Sequence, residues 1–235
     1  MDGEPLVLGL ETGSSVETIA LIQGDLLLAE QRVRRPRGRG TGLAGEVSRL
    51  LAAVERNPSD LAAIAVGVGP GAFTSLRVSL ALAQGLATGL GIPAFPFPSA
   101  PSWAAGSGAV ERAVAVVLDA RRGEVWAGLF DVDACGQPTA RIAEGLHKPG
   151  EFFTRLAEEP DGSLLLVGDG AVLHGELARA HLGGRGIVHP LASTGPSAAF
   201  LARQALRALH RGEAPNGPLL PRYLRDATEV PPAGA

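Results

Sequence analysis

The chain contains few of the residues that most often catalyse reactions, bind metals or form cross-links. Its single cysteine, Cys135, excludes an internal disulfide framework and suits a reducing environment, so we expect a cytoplasmic protein. None of its five histidines forms a His-x-x-x-His or His-Glu-x-x-His pair, so we predict no metal site. The Gly-x-Ser-x-Gly motif of serine hydrolases is also missing, and we predict no catalytic residue.

A marked excess of charge of either sign is missing as well. The formal net charge is −3, so no global basic field attracts nucleic acid. The uncharged segment from Val78 to Val110 is long enough to span a membrane. Its second half, however, is interrupted by Pro93, Pro96, Pro98 and Pro101. We therefore predict a buried helix, a strand and a proline-rich crossover, with no membrane association.

The sequence has two halves in which similar features follow in the same order. In each half a strand ends at an acidic residue, Glu11 or Asp119, and a hairpin follows. Later in each half a strand enters a Gly-x-Gly turn, starting at Gly67 or Gly168, and a helix begins. The similar offsets suggest two copies of one α/β unit. Two such lobes facing each other form the architecture of actin and the sugar kinases, in which a nucleotide lies between the lobes.

The sequence Gly-Pro-Gly from Gly69 to Gly71, called the glycine turn below, precedes a helix predicted from Thr74 to Leu90, with Thr74 as its N-cap. The turn lacks the Gly-Lys-Ser/Thr ending of a P-loop, and Pro70 has no N–H to donate. Helix N-termini nevertheless attract anions, and Arg77 in the first turn of the helix is a further anion-binding candidate. Two hypotheses remain open. Either Gly69, Gly71 and Arg77 contact an anion or nucleotide, or the turn only directs the helix.

The predicted helix carries a small-residue stripe, Ala81, Gly85 and Gly89, at intervals of four residues beside Leu82 and Leu86. Glycine within a helix costs about 1 kcal/mol relative to alanine, and small residues at this spacing permit close approach of another backbone. We therefore predict a helix–helix interface along the stripe. A second helix, predicted from Thr41 to Arg56, would complete a four-helix bundle across a dimer. Its contribution to the interface is predicted to be Leu43, Val47 and Leu50.

Two other functions stay open. Glu11, Asp119 and the two glycine-rich turns could serve a small actin-like kinase or ATPase, although sequence spacing does not give the distance between the two acids. The basic run from Arg32 to Arg39 could contact an RNA backbone, although a Gly/Pro-rich loop of this kind is commonly a solvated segment.

Four segments resemble the TsaB family, whose central signature is roughly Gly-Pro-Gly-Ser-Phe-Thr-Gly-Leu-Arg. Here the residues from Gly69 to Arg77 read Gly-Pro-Gly-Ala-Phe-Thr-Ser-Leu-Arg, and a glycine-rich helix follows. The segments LGLETGSSVETIAL, LDARRGEVWAGLF and PRYLRD are similar, in the same order, to the family's opening strand, its Asp-Ala-Arg segment and its Tyr-Leu-Arg terminus. The resemblance covers nearly the whole chain.

The resemblance implies a two-lobed, duplicated α/β fold of the actin-like (ASKHA, ribonuclease H-like) class, with lobes at residues 1–101 and 102–235. It implies a non-catalytic subunit of the machinery that makes threonylcarbamoyladenosine on tRNA. Such a subunit would bind the catalytic subunit TsaD, join the ATPase TsaE, meet tRNA through the complex and form a homodimer when alone. No firmly bound cofactor is implied, and ATP or ADP at the subunit boundary stays open.

The chain departs from the family pattern at several positions in and near its cleft. Glu11 replaces the usual Asp and Gly13 the usual Ser, while Ala72 and Ser75 replace Ser and Gly in the central signature. Gly40-Thr41 stands where the family often has His-Ser. These changes argue against a metal or nucleotide role for the chain's own cleft and leave the small-residue stripe intact.

Overall fold

Two five-stranded mixed sheets with the same strand order form the centre of the protein. The computed structural model describes residues 3–34, 42–160, 162–190 and 195–222. The first sheet has the order β3-β2-β1-β4-β5 and the second β10-β9-β6-β7-β8. In each sheet the first three strands in chain order are antiparallel neighbours, and the last two lie parallel to the first. The repeated order confirms the prediction of a duplicated, two-lobed α/β fold.

The two central parallel strands of the first sheet are apolar, and β1 is buried along its whole length. The strands of this sheet are β1 (Leu6–Glu11), β2 (Val16–Gln23), β3 (Leu26–Arg34), β4 (Leu61–Gly67) and β5 (Ala94–Phe97). Alternate residues of β1 enter two different apolar clusters, since Leu8 packs with α1 (Leu43–Ala53) and α2 (Phe73–Leu90) while Val7 packs with α7 (Ala198–His210). Helices therefore cover both faces of this sheet, as the continuous apolar runs of β1 and β4 require.

The second sheet is covered in the same way. Its strands are β6 (Arg112–Arg121), β7 (Glu124–Val132), β8 (Pro138–His147), β9 (Leu164–Val167) and β10 (Gly186–Val188). One face packs on α4 (Pro149–Ala157), α5 (Asp169–Leu173) and α6 (Gly175–Leu182), and the other on α3 (Ser99–Ala105). Because α3 also contacts α7, these two helices lie between the sheets.

The predicted division of the chain between residues 101 and 102 falls within α3. Helix α7 follows the second sheet in the chain but packs on the first one, against β1, β2 and β4. The lobe boundaries stay a prediction, and the last helix shows that chain order alone does not separate the two layers.

The start of α2 differs from the prediction. The helix begins at Phe73, its N-cap is Ala72 without a side-chain cap, and Thr74 lies in the first turn. It ends at Gly91, whose φ of 68° is the left-handed conformation that favours glycine after a helix. Helix α1 is shorter than predicted, and Thr41 lies outside the described residues. In the described part of the chain no helix combines the length and the apolar character needed to cross a membrane.

Candidate functional site

The glycine turn is attached to the start of α3. The Gly69 amide donates to Ser99 Oγ over 3.1 Å, and the Ser99 amide donates to the Gly69 carbonyl over 2.9 Å. Gly69 has a φ of 100°, a left-handed conformation that few other residues adopt. The chain thus leaves β4 in a fixed direction before α2 begins.

The same turn packs backbone to backbone against the hairpin loop that follows β1. The Ala72 amide donates to the Gly13 carbonyl over 2.6 Å, and Thr12 Oγ1 donates to the Ser75 carbonyl over 3.0 Å. A Cβ atom on Gly71 would lie less than 3.0 Å from three backbone atoms of Gly13, so only glycine permits this approach. The Ala72 and Gly69 amides are already bonded within the protein. This geometry favours a turn that directs α2, and anion contact by Gly69 and Gly71 stays a prediction.

Arg77 lies in the first turn of α2, where the helix dipole disfavours a cation. Its guanidinium carbon is 3.6 Å from the centroid of the Phe73 ring. This cation–π contact stabilises the arginine locally and gives it a structural role on the exposed start of the helix. The predicted contact between Arg77 and an anion stays a prediction.

Glu11 is an internal residue and does not face solvent at the end of its strand. The residue is 1% exposed, and its Oε1 accepts a hydrogen bond of 2.9 Å from the Gly13 amide. Burial raises the pKa of the Glu11 carboxyl, against the opposing effect of hydrogen bonds from Ser99 and from the Gly13 and Thr12 amides. Its Oε2 has no hydrogen-bond partner among the described residues. A buried acid of this kind is favoured in its neutral form.

The carboxylate of Asp119 is bonded within its own hairpin. Its Oδ1 accepts from the Arg121 amide over 2.9 Å, and its Oδ2 forms an ion pair of 2.9 Å with the Arg121 guanidinium. The Asp119 amide donates to Asp169 Oδ1 over 3.0 Å. Cβ atoms on Gly168 or Gly170 would lie less than 3.0 Å from backbone of β6, so this second glycine-rich turn packs tightly on the strand. Within the described ranges no group of three or more His, Cys, Asp and Glu residues could hold a metal ion.

The small-residue stripe faces away from the protein's own sheet. Ala81, Gly85 and Gly89 are exposed, and a Cβ atom on either glycine would meet no atom within 4 Å. The opposite side of α2 is buried and consists of Leu76, Ser79, Leu80 and Ala83. Leu82 and Leu86 are half-buried at the edge of the first apolar cluster. The stripe is thus an open helix surface.

The predicted contribution of α1 to this surface is wrong for its side chains. Leu43, Val47 and Leu50 are 2%, 4% and 9% exposed and belong to the core beneath α1. The apolar face of a helix that covers a sheet points at that sheet, and the sequence pattern does not distinguish this packing from a partner interface. The exposed side of α1 consists instead of Ala44, Gly45, Ser48, Arg49, Ala52 and Ala53.

Small residues therefore predominate on the outer side of α1 and along the stripe on α2. An open groove of about 360 Å³ separates the start of α1 from α2, lined by Gly42, Leu43, Ala44, Gly45, Val78 and Leu82. The same small-residue rule that identified the stripe on α2 could have identified the outer side of α1. The amphipathic pattern of leucines marks the side of α1 that packs on the first sheet.

The basic run is described only in part. Arg32 and Arg34 lie on β3, an edge strand of the first sheet, with both side chains exposed. The residues numbered 35 to 39 lie outside the described residues, as does the end of the chain after Arg222. Contact with RNA through this run stays a prediction.

The repeated sheet, the two glycine-rich turns and the open helix face define a two-lobed α/β protein of the actin-like class. A family model described as "TsaD: tRNA N6-adenosine threonylcarbamoyltransferase" matches residues 42–160. The protein of Bacillus subtilis named "tRNA threonylcarbamoyladenosine biosynthesis protein TsaB" is 27% identical over 222 residues, covering 93% of each chain. An uncharacterized protein of Mycobacterium tuberculosis is 31% identical over 221 residues, covering 93% of this chain and 91% of its own. The chain belongs to the TsaB family.

A solved structure agrees with this assignment. YeaZ from Pseudomonas aeruginosa is 27% identical, with a TM-score of 0.76, and covers 94% of this chain and 100% of its own. Another structure from the same organism, 28% identical with the same TM-score, is of an uncharacterized protein described as similar to the peptidase YeaZ. The Escherichia coli protein named TsaB is 28% identical over 166 residues, which is 70% of this chain and 71% of its own.

Proposed function

We propose that the chain is a non-catalytic scaffold subunit needed for threonylcarbamoyl transfer to the adenosine next to the anticodon of tRNAs. It would bind and activate a catalytic subunit of the TsaD type. The names of the Bacillus subtilis and Escherichia coli relatives, both tRNA threonylcarbamoyladenosine biosynthesis proteins, support the role in tRNA modification. The matched family model is described as the transferase, which supports a relationship between this chain and the catalytic subunit.

The open space above Gly85 and Gly89 is the observation that carries the proposal. Each glycine costs about 1 kcal/mol of helix stability relative to alanine, and neither is required by packing within the chain. Close approach of a partner helix to the α2 backbone would explain why glycine is present at both positions. The proposed interface consists of Ala81, Leu82, Gly85, Leu86 and Gly89, together with the outer side of α1. The chain would use the same surface to form a homodimer when alone.

The contacts made by the two acids at the strand ends, Glu11 and Asp119, also support a scaffold role. The carboxyl of Glu11 is buried beside the Gly13 amide, and that of Asp119 is paired with Arg121. Neither side chain lies free at a cleft in the way that a general base or a metal ligand would need. We propose no firmly bound cofactor. ATP or ADP would bind, if at all, at the boundary with the catalytic subunit near Gly69, Gly71 and Arg77.

The deciding experiment is a reconstitution from which single components are omitted. tRNA, threonine, bicarbonate, ATP, the carbamoyl-adenylate synthase, TsaD and TsaE are mixed with and without this protein. Threonylcarbamoyladenosine is then measured by mass spectrometry of the digested tRNA. We expect modification only when the chain is present, and no ATP turnover by the chain alone. Modification that proceeds without the chain would overturn the proposal. ATP turnover by the chain alone that is lost in Asp119→Ala would replace it with the ATPase hypothesis.

A further inference from the structure

We propose that Arg222 is a positioning residue that connects the second sheet to the glycine turn and thereby sets the direction of α2. The effect of this residue on partner binding rests on the proposed function. Arg222 contacts both halves of the molecule, through its backbone on one side and its guanidinium on the other. Local sequence patterns do not predict this contact, because Arg222 and Glu144 lie 78 residues apart in the chain.

The backbone of Arg222 is bonded to the strand end that precedes the glycine turn. Its amide donates to the Val68 carbonyl over 2.7 Å, and the Val68 amide donates to the Phe97 carbonyl over 2.9 Å. The Arg222 carbonyl would lie 3.3 Å from a Cβ atom on Gly69. Leu219, three residues earlier, is half-buried against the core that also contains Val68 and Leu80. The segment from Leu219 to Arg222 therefore lies along the connection between β4 and α2.

The side chain of Arg222 reaches the second sheet. Its Nη1 donates to Glu144 Oε1 on β8 over 2.8 Å. The other oxygen of that carboxylate, Oε2, accepts from Trp126 Nε1 on β7 over 3.2 Å. The Glu144 side chain is 14% exposed and the Arg222 side chain 49%. Trp126 thus orients the Glu144 carboxylate through Oε2, and Oε1 is left to accept from Arg222.

These two contacts add a second connection between the second sheet and the glycine turn, beside the one that runs through α3. A shift of β8 relative to the first sheet would move Glu144, then Arg222, then the Val68 carbonyl next to the glycine turn. Partly exposed ion pairs generally contribute little to stability, so the contact matters for geometry more than for folding. The turn fixes the direction of α2 through the Gly69 and Ala72 amides. The second half of the molecule would in this way affect a partner that contacts only the first.

The first test uses the isolated full chain and needs no partner. Arg222→Ala removes the guanidinium but keeps the amide that bonds Val68. We expect hydrogen exchange at the Gly69 and Ala72 amides to quicken about tenfold, because local opening of the turn is easier. Arg211→Ala is the matched control, since Arg211 pairs with Glu213 on the surface and, within the described residues, its side chain bonds to neither sheet. Unchanged exchange in Arg222→Ala, or an equal change in Arg211→Ala, would overturn the inference.

The second test measures affinity for the TsaD-type subunit and the melting temperature together. We expect Arg222→Ala to weaken binding about tenfold, a typical coupling between separated sites, with the melting temperature nearly unchanged. Arg222→Lys should restore binding, because a single donor makes the contact with Glu144. A loss of affinity that only follows a loss of melting temperature would overturn the positioning role. If the unaltered chain does not bind that subunit, the proposed function fails, and the exchange experiment still decides the fate of the Arg222 connection.

Discussion

The buried carboxyl of Glu11 lies directly against the backbone of Gly67, where β1 and β4 end side by side. A Cβ atom on Gly67 would fall less than 3.0 Å from both oxygens of that carboxyl. Gly67 therefore provides the space that Glu11 occupies, and the first Gly-x-Gly turn begins with a glycine for a reason internal to the protein. The acid fills the end of the first lobe's sheet, where ligands commonly bind in open α/β proteins.

Replacing Gly67 with alanine should destabilise the chain, because the added methyl group and the Glu11 carboxyl cannot share the same space. Overpacking of this kind costs about 1–3 kcal/mol in free energy of unfolding. Chemical denaturation of the purified chain measures this loss. In the double variant Gly67→Ala with Glu11→Ala, the cost of the glycine change should be smaller, since the opposing side chain is gone. Strictly additive effects would show that the two residues do not compete for space.

Replacing Glu11 with glutamine should change how stability depends on pH. Burial raises the pKa of Glu11 above its usual value of 4.5, so the folded chain prefers the neutral acid. The contribution of the neutral acid is complete below that usual value and is lost as the pH rises through the raised pKa. Glutamine keeps a neutral side chain at every pH.

Melting temperatures of the two proteins therefore diverge as the pH rises. We expect Glu11→Gln to gain stability relative to the unaltered chain as the pH rises above about 5. Glu176→Gln, at an exposed position on α6, serves as the control for replacing a carboxyl by an amide. A difference between Glu11→Gln and the unaltered chain that stays constant with pH would show that Glu11 is ionised in the fold throughout this range.

The sequence was sufficient to predict the repeated unit and the position of α2. The acids at positions 11 and 119 and the turns at Gly67 and Gly168 mark equivalent places in two sheets of one strand order. These features depend on local patterns, namely an apolar strand, a turn and a periodic helix, and such patterns are visible in a single chain.

Residues whose roles depend on distant neighbours could not be assigned in this way. The apolar pattern of α1 identified a helix but not whether Leu43 and Val47 face the chain's own sheet or a partner. The burial of Glu11 depends on Gly67, and the pairing of Glu144 with Arg222 depends on how the two halves pack. Spacing along the sequence does not specify such distances.

Gly85→Leu should abolish pairing with the TsaD-type subunit and leave the fold intact. The position is open, since a Cβ atom there meets no atom of the described residues within 4 Å, and replacing glycine should stabilise the helix by about 0.5–1 kcal/mol. At an interface of closely packed helices the same side chain would hold the backbones apart. We expect affinity to fall by about a hundredfold or more, equivalent to about 3 kcal/mol.

The matched control for this change is Ala180→Leu, at an exposed position of α6 on the second sheet. Sedimentation of each variant mixed with the TsaD-type subunit measures pairing, and thermal unfolding of each variant alone measures stability. Normal pairing of Gly85→Leu would show that α2 does not form the interface.

One change on α1 should lower stability and another should weaken pairing, because the two sides of this helix have different roles. Leu50 lies in the core, so Leu50→Ala should lower the free energy of unfolding by about 2–5 kcal/mol. Affinity of the remaining folded chain for the TsaD-type subunit should be unchanged. Ala52 lies on the exposed side, so Ala52→Leu should leave stability within about 0.5 kcal/mol and weaken pairing. Titration of the partner under conditions where both variants are folded separates the two effects. If Leu50→Ala weakened pairing and Ala52→Leu did not, the partner would contact the apolar side of α1, and that helix would have to leave the sheet to bind.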